Sequence, residues 1–134
     1  MYECSNVIIM ATKSKQPRKQ RKSRYNAPLH ERRHFVSAHI SKELRAKLGT
    51  KKRAVPLRKG DRVKIMKGEK RGHTGKIIEI DLNAGKVYVE GVVATKAKGT
   101  EIPAPIDASN LLLLEGDFDK KGRQEVLERS SKVK

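Results

Sequence analysis

Hydrophobic positions follow two regimes along this chain. Between Arg62 and Leu114 they recur in short alternating runs, whereas between Lys13 and Val55 they are sparse and interspersed with cations, after one short apolar patch at Val7-Ile8-Ile9-Met10. Arg62-Val63-Lys64-Ile65-Met66 alternates polar and apolar residues, as a strand with one buried face requires. Lys76-Ile77-Ile78-Glu79-Ile80 predicts a second strand and Lys86-Val87-Tyr88-Val89-Glu90 a third, with Leu82-Asn83-Ala84-Gly85 as the turn between them. Gly91-Val92-Val93-Ala94-Thr95 continues the pattern, and Leu111-Leu112-Leu113-Leu114 closes it. Five short strands in roughly 60 residues predict a mainly β fold, a small five-stranded barrel spanning residues 55–115. A unit of that size is marginal by itself, so binding is expected to contribute to its order.

Helical signals sit on the flanks. Ser41-Lys42-Glu43-Leu44-Arg45-Ala46-Lys47-Leu48-Gly49 predicts a short helix with a Ser41 cap and a Gly49 stop. In Asn26-Ala27-Pro28-Leu29-His30 the proline suits a first helical turn, and Leu29, Phe35, Val36 and Ile40 then interleave with Arg32, Arg33 and Lys42. Such pieces are too short to persist alone and are expected to fold against a surface. The earlier run Lys13–Arg24 has no apolar anchor and predicts disorder in isolation. The tail Asp117–Arg129 predicts a short, mostly polar helix, with a frayed end as the alternative. The expected organisation is an upstream extension over 1–9, a basic, partly helical arm over 10–54, the barrel over 55–115 and a helical tail over 116–134. Met10, followed by Ala11-Thr12-Lys13, reads as the start of the arm.

Charge sharpens this division. The chain of 134 residues carries 32 Lys and Arg against 15 Asp and Glu, a net charge of +17. Residues 11–59 hold 17 of the cations and only Glu31 and Glu43 as acids, whereas residues 60–134 are close to balanced. A charge this large needs an anionic partner. A membrane surface would require a long, regular amphipathic helix with a broad apolar face, and no apolar run approaches the roughly 20 residues of a membrane span. The opening residues lack the positive start and the apolar core of a secretory signal. One cysteine, Cys4, excludes a disulfide framework and a cysteine zinc site. Nucleic acid is the remaining partner.

The segment Gly60-Asp61-Arg62-Val63-Lys64-Ile65-Met66-Lys67-Gly68-Glu69-Lys70-Arg71-Gly72-His73-Thr74-Gly75-Lys76-Ile77 carries the most information. Glycines at 68, 72 and 75 permit positive φ and close backbone approach in a loop between two strands. Lys67, Lys70, Arg71, His73 and Lys76 share that loop and can meet phosphates. A merely solvated basic hairpin would not need three glycines at this spacing. The spacing resembles the KOW motif, found in ribosomal proteins and transcription elongation factors on an SH3-like barrel: Gly60-Asp61-x-Val63, Gly68, Lys70, Gly72 and Gly75-Lys76-Ile77 match in order.

The arm narrows the resemblance. Ser14-Lys15-Gln16-Pro17-Arg18-Lys19-Gln20-Arg21-Lys22, Ala27-Pro28-Leu29-His30 and Leu44-Arg45 precede Pro56-Leu57-Arg58-Lys59-Gly60-Asp61. With Gly99-Thr100-Glu101 and Asp107-Ala108-Ser109-Asn110, this order is similar to the archaeal and eukaryotic form of large-subunit ribosomal protein twenty-four, over about residues 14–115. The resemblance implies an SH3-like barrel, direct binding to large-subunit ribosomal RNA toward its 5′ end, support of subunit assembly, neighbouring large-subunit ribosomal proteins as partners, and a place near the exit of the nascent-chain tunnel in the cytoplasm.

The candidate RNA contacts are Lys15, Arg18, Lys19, Arg21, Lys22 and Arg24 in the arm, then His30, Arg32, Arg33, Arg45, Arg58 and Lys59. Lys67, Gly68, Lys70, Arg71, Gly72, His73, Gly75 and Lys76 follow in the loop, with Lys96 and Lys98 beyond it. Of the five aromatic residues the barrel offers only Tyr88, so single-strand base stacking gives way to recognition of folded RNA by shape and phosphate contact. Gly75-Lys76 is not a nucleotide-binding phosphate loop, because Lys70 stands where that loop needs glycine and Ile77 where it needs Ser or Thr. His30, His34 and His39 come with no cysteine beside them and are expected to contact RNA or solvent rather than a metal, and no nucleophile–base set stands out. No enzymatic activity, cofactor, small-molecule substrate or homo-oligomer is expected. The rival readings are a KOW-type elongation factor module, which normally carries an α+β domain ahead of the barrel, and a docking protein at the ribosome surface.

Overall fold

A computed structural model describes residues 14–118 and 121–131; the expected extension over 1–9 and the expected start at Met10 lie outside the described residues. The arm opens with helix α1, Pro17–Asn26. Proline at the first position costs no hydrogen bond, and the run of Arg, Lys and Gln favours helix. None of its side chains is buried. Ala27 and Pro28 interrupt it, and α2, Leu29–Phe35, follows with Pro28 as its N-cap residue. Helix α3, Lys42–Leu48, is capped as its sequence predicts: the Leu44 amide donates to Ser41 Oγ at 3.1 Å, and Gly49 ends it at φ 58°.

Seven strands form one open sheet in the order β2-β1-β7-β3-β4-β5-β6. They are β1 Ser37–Ile40, β2 Ala54–Pro56, β3 Arg62–Ile65, β4 Thr74–Asp81, β5 Lys86–Thr95, β6 Glu101–Asp107 and β7 Leu111–Glu115. The mainly β character matches expectation; the five-stranded closed barrel does not. Two strands absent from the sequence reading, β1 and β2, are added at one edge, where β1 pairs in parallel with β7 through His39↔Leu112 and Ile40↔Leu113. The two predicted runs over 86–95 are a single strand, whose register shifts beside Gly91 at φ 77°. Strand β6 is added at the other edge; its Pro103 and Pro105 suit an edge position, where a missing ladder donor is tolerated.

Alternation delivers the core. Val63 and Ile65 of β3, Val87 and Val89 of β5 and Leu111 and Leu113 of β7 are buried together with Val36, Ala38 and Ile40 from the segment expected as arm. Each large side chain so buried contributes roughly 1.5–3 kcal/mol relative to exposure. Between Ile77 and Glu79 of β4 the register shifts; Ile77 is buried, and Ile78 and Glu79 are both turned outward.

The polar tail is docked rather than frayed. Helix α4, Lys121–Ser131, inserts Arg123 against Asp61, and both residues are only 2% exposed. Arg123 Nη1 donates to Asp61 Oδ1 at 2.9 Å, and Nη2 donates to Oδ2. The same guanidinium donates to the carbonyls of Asp117 (3.0 Å) and Pro56 (3.1 Å) and lies over the Phe118 ring at 5.0 Å. Asp61 Oδ2 also accepts from the Arg58 amide at 2.8 Å. Gly116 is the clearance for this pair, because a Cβ there would stand 2.8 Å from both Arg123 Nη1 and Asp61 Oδ1.

Candidate nucleic-acid interface

The β3–β4 loop is built by the glycines that its sequence singled out, for two different reasons. Gly68 and Gly72 hold φ of 98° and 93° with open space around them, so their requirement is backbone conformation. The Gly72 amide donates to the Ile65 carbonyl (2.8 Å) and the Ile65 amide to His73 (2.9 Å), which closes the loop. Gly75 has no positive φ; it lies in β4, where a Cβ would stand 2.6 Å from the Glu90 carbonyl and 2.9 Å from Val89 Cγ1. Lys67, Lys70 and Arg71 project from the closed loop, exposed. His73 is held inward instead. Its Nε2 lies 2.9 Å from the Glu90 carbonyl, which can only accept, so that nitrogen carries the proton.

Lys96 and Lys98 occupy the β5–β6 turn, closed by the Lys96 amide on Thr100 (2.9 Å) and the Gly99 amide on Lys96 (2.8 Å). In the antiparallel meander β3-β4-β5-β6 this turn emerges at the same end as the β3–β4 loop. The β4–β5 turn lies at the opposite end, and there the arm is fastened. Arg32 donates through Nη1 to Asn83 Oδ1 (2.6 Å), through Nε to the Ala27 carbonyl (2.7 Å) and through Nη2 to the Tyr25 carbonyl (2.9 Å). Arg24 lies over Phe35 at 5.5 Å. The expected contacts thus gather into separate groups. Arg18, Lys19, Arg21 and Lys22 are exposed on α1 at one end of the meander, with Lys15 just ahead of it; Lys67, Lys70, Arg71, Lys96 and Lys98 are exposed at the other.

The remaining candidates stand apart. Arg32 serves as an internal clasp, and Arg45 on α3 is half-buried, with an Nε that finds no partner. Lys59 is exposed in the β2–β3 connection, and Lys76 is exposed on β4 opposite Arg62. His30, Arg33 and Arg58 line a cleft of about 240 Å³ with His34, Arg123 and Val126. Burial pushes the Arg58 guanidinium below its ordinary value, and the nearby cations Arg33 and Arg123 push it the same way, against Asp61 and Asp117. His34 and Arg123 were not among the expected site residues. The only sequence signal for Arg123 is Gly116, whose missing Cβ makes room for it. Tyr25, 81% exposed at the end of α1, is a further aromatic surface that a search for stacking residues within the strands passes over.

The described residues hold no group of three His, Cys, Asp or Glu that could bind a metal ion, and none of their helices is long and apolar enough to cross a membrane. Two fixed basic ends with exposed donors are equipped to meet phosphates rather than to do chemistry on a substrate. Residues 14–130 match the ribosomal protein L26 family, described as the eukaryotic L26 proteins together with their archaeal L24-type counterparts. The chain belongs to that family of ribosomal proteins, a structural constituent of the cytoplasmic large ribosomal subunit.

Proposed function

We propose that the protein binds large-subunit ribosomal RNA directly, toward its 5′ region, by clamping folded RNA between two basic ends of one rigid sheet. The observation that carries this reading is the separation of exposed cations into the α1 group and the loop–turn group, with the arm locked to the β4–β5 turn by Arg32. A rigid spacing between phosphate-binding groups selects RNA by shape, since two contacts form together only where the backbone matches it. The same resemblance that points to the 5′ region implies a role in subunit assembly and a position near the tunnel exit beside neighbouring ribosomal proteins. The KOW likeness of the β3–β4 loop is shared with elongation factors, but the family match favours the ribosomal reading.

The test is a salt series of binding to a naked 5′-region fragment of large-subunit ribosomal RNA, with an equally long unrelated folded RNA as competitor. Preference for the fragment at moderate salt supports the proposal. Replacing Arg18, Lys19, Arg21 and Lys22 by glutamine should reduce the salt slope by roughly 2.8–3.6, at roughly 0.7–0.9 per phosphate contact. Equal affinity for both RNAs would refute it and move the protein's address to its protein neighbours.

A further inference from the structure

We propose that the cleft between α2, the β2–β3 connection and α4 is a seat for one phosphate group of the RNA backbone, closed by residues from three separate parts of the chain. This deepens, and rests on, the RNA-binding reading above. The cleft brings Arg33 from α2, Arg58 from the connection and Arg123 from α4 to one chamber, with His30 and His34 at its α2 wall. Two acids, Asp61 and Asp117, act on Arg58, and the two oxygens of Asp61 are occupied by Arg123 and by the Arg58 amide. No hydrogen bond or ion pair among the described residues engages the guanidinium of Arg33 or of Arg58. Arg123 Nε is buried and finds no hydrogen-bond partner, although a buried donor is ordinarily satisfied. Cations thus converge here in excess of the acids that face them; burial first, and then Arg33 and Arg123, hold the Arg58 guanidinium below its ordinary value.

Two open donor forks, Arg33 and Arg58, around a chamber of about 240 Å³, with the charge of Arg123 beside them, suit a tetrahedral oxyanion, whose several oxygens can each take a charge-assisted hydrogen bond. Phosphate in the chamber removes the repulsion among the three arginines. It also ties α4 to α2, so RNA binding and docking of the tail helix reinforce one another.

The experiment uses the full chain and inorganic phosphate as probe. Thermal unfolding is followed in sodium phosphate, sodium acetate and sodium chloride at equal ionic strength, for the unchanged protein, R33Q, R58Q and the control K47Q, at an exposed lysine of α3. Phosphate should raise the midpoint beyond acetate and chloride in the unchanged protein and in K47Q. R33Q and R58Q should each weaken phosphate binding roughly tenfold or more, the loss of one charge-assisted hydrogen bond. Equal stabilisation by the three anions would overturn the seat, and acetate matching phosphate would assign the cleft to carboxylates instead. RNA is distinguished from free phosphate by a second arm. R33Q and R58Q should each lower the salt slope of binding to the 5′-region fragment by roughly 0.7–0.9. Loss of phosphate stabilisation with an unchanged slope would overturn the RNA assignment. Failure of the broader reading looks different, because the unchanged protein would then show no preference for the fragment.

Discussion

Removing the Arg123 side chain, as in Arg123→Ala, strands a carboxylate where water cannot reach it. Asp61 would keep one donor, the Arg58 amide, and lose both guanidinium nitrogens; the carbonyls of Asp117 and Pro56 would lose theirs as well. Breaking a buried pair by deleting one partner costs about 3–5 kcal/mol, because the uncompensated charge remains behind. That is a large share of the roughly 5–15 kcal/mol that holds a domain together. For a chain of this size, each kcal/mol lowers the unfolding midpoint by about 4 °C, so R123A should melt roughly 12–20 °C below the unchanged protein. Asp61→Ala should cost a comparable amount, and the double variant should be distinctly more stable than the sum of the two losses, since neither charge is then left unpaired. The assay is thermal unfolding of all four proteins, with limited proteolysis around Gly122 to report undocking of α4. A midpoint within about 3 °C of the unchanged protein for R123A, or strict additivity in the double variant, would refute the reasoning.

Gly75→Ala drives a methyl into the Glu90 carbonyl at 2.6 Å and should cost about 1–3 kcal/mol by forcing β4 and β5 apart; chemical denaturation measures it. Ser41→Ala removes the cap of α3 and should cost about 1 kcal/mol, with faster amide exchange confined to the first turn of that helix. Arg32→Ala breaks the three bonds that fix α1 to the β4–β5 turn, so amide exchange across Pro17–Asn26 should accelerate while the sheet stays protected. The same variant should also lose preference for the 5′-region fragment although the exposed cations of α1 are intact.

Local chemistry made part of this molecule readable from its sequence. Alternation at Val63 and Ile65 and at Val87 and Val89 gave the core strands, Ser41 and Gly49 bounded α3, and the spacing of Gly68 and Gly72 gave the loop. Strand β1 was hidden because Ser37-Ala38-His39-Ile40 is four residues long and set among cations; of its two partners, β2 is only three residues long, and Leu112-Leu113 of β7 lies more than 70 residues away. No periodicity within a segment carries a pairing of that range. Strand β6 was hidden by two prolines that only an edge position tolerates. Arg123 read as one more cation in a polar tail, because its acid lies 62 residues earlier. At the interface, residue type identified the cations but not their duties. In sequence His73 and Arg32 read like the other candidate RNA contacts; in the structure His73 also bonds the Glu90 carbonyl and Arg32 also bonds Asn83.

The most direct test of the two-ended clamp is lysine reactivity toward an acylating reagent, read by peptide mass spectrometry in the free protein and in intact large ribosomal subunits. The account predicts that Lys19 and Lys22 on α1 and Lys67, Lys70, Lys96 and Lys98 at the far end of the meander, all exposed in the free chain, become protected together in the subunit. Protection confined to α1, with the loop and turn lysines as reactive as in the free protein, would contradict it.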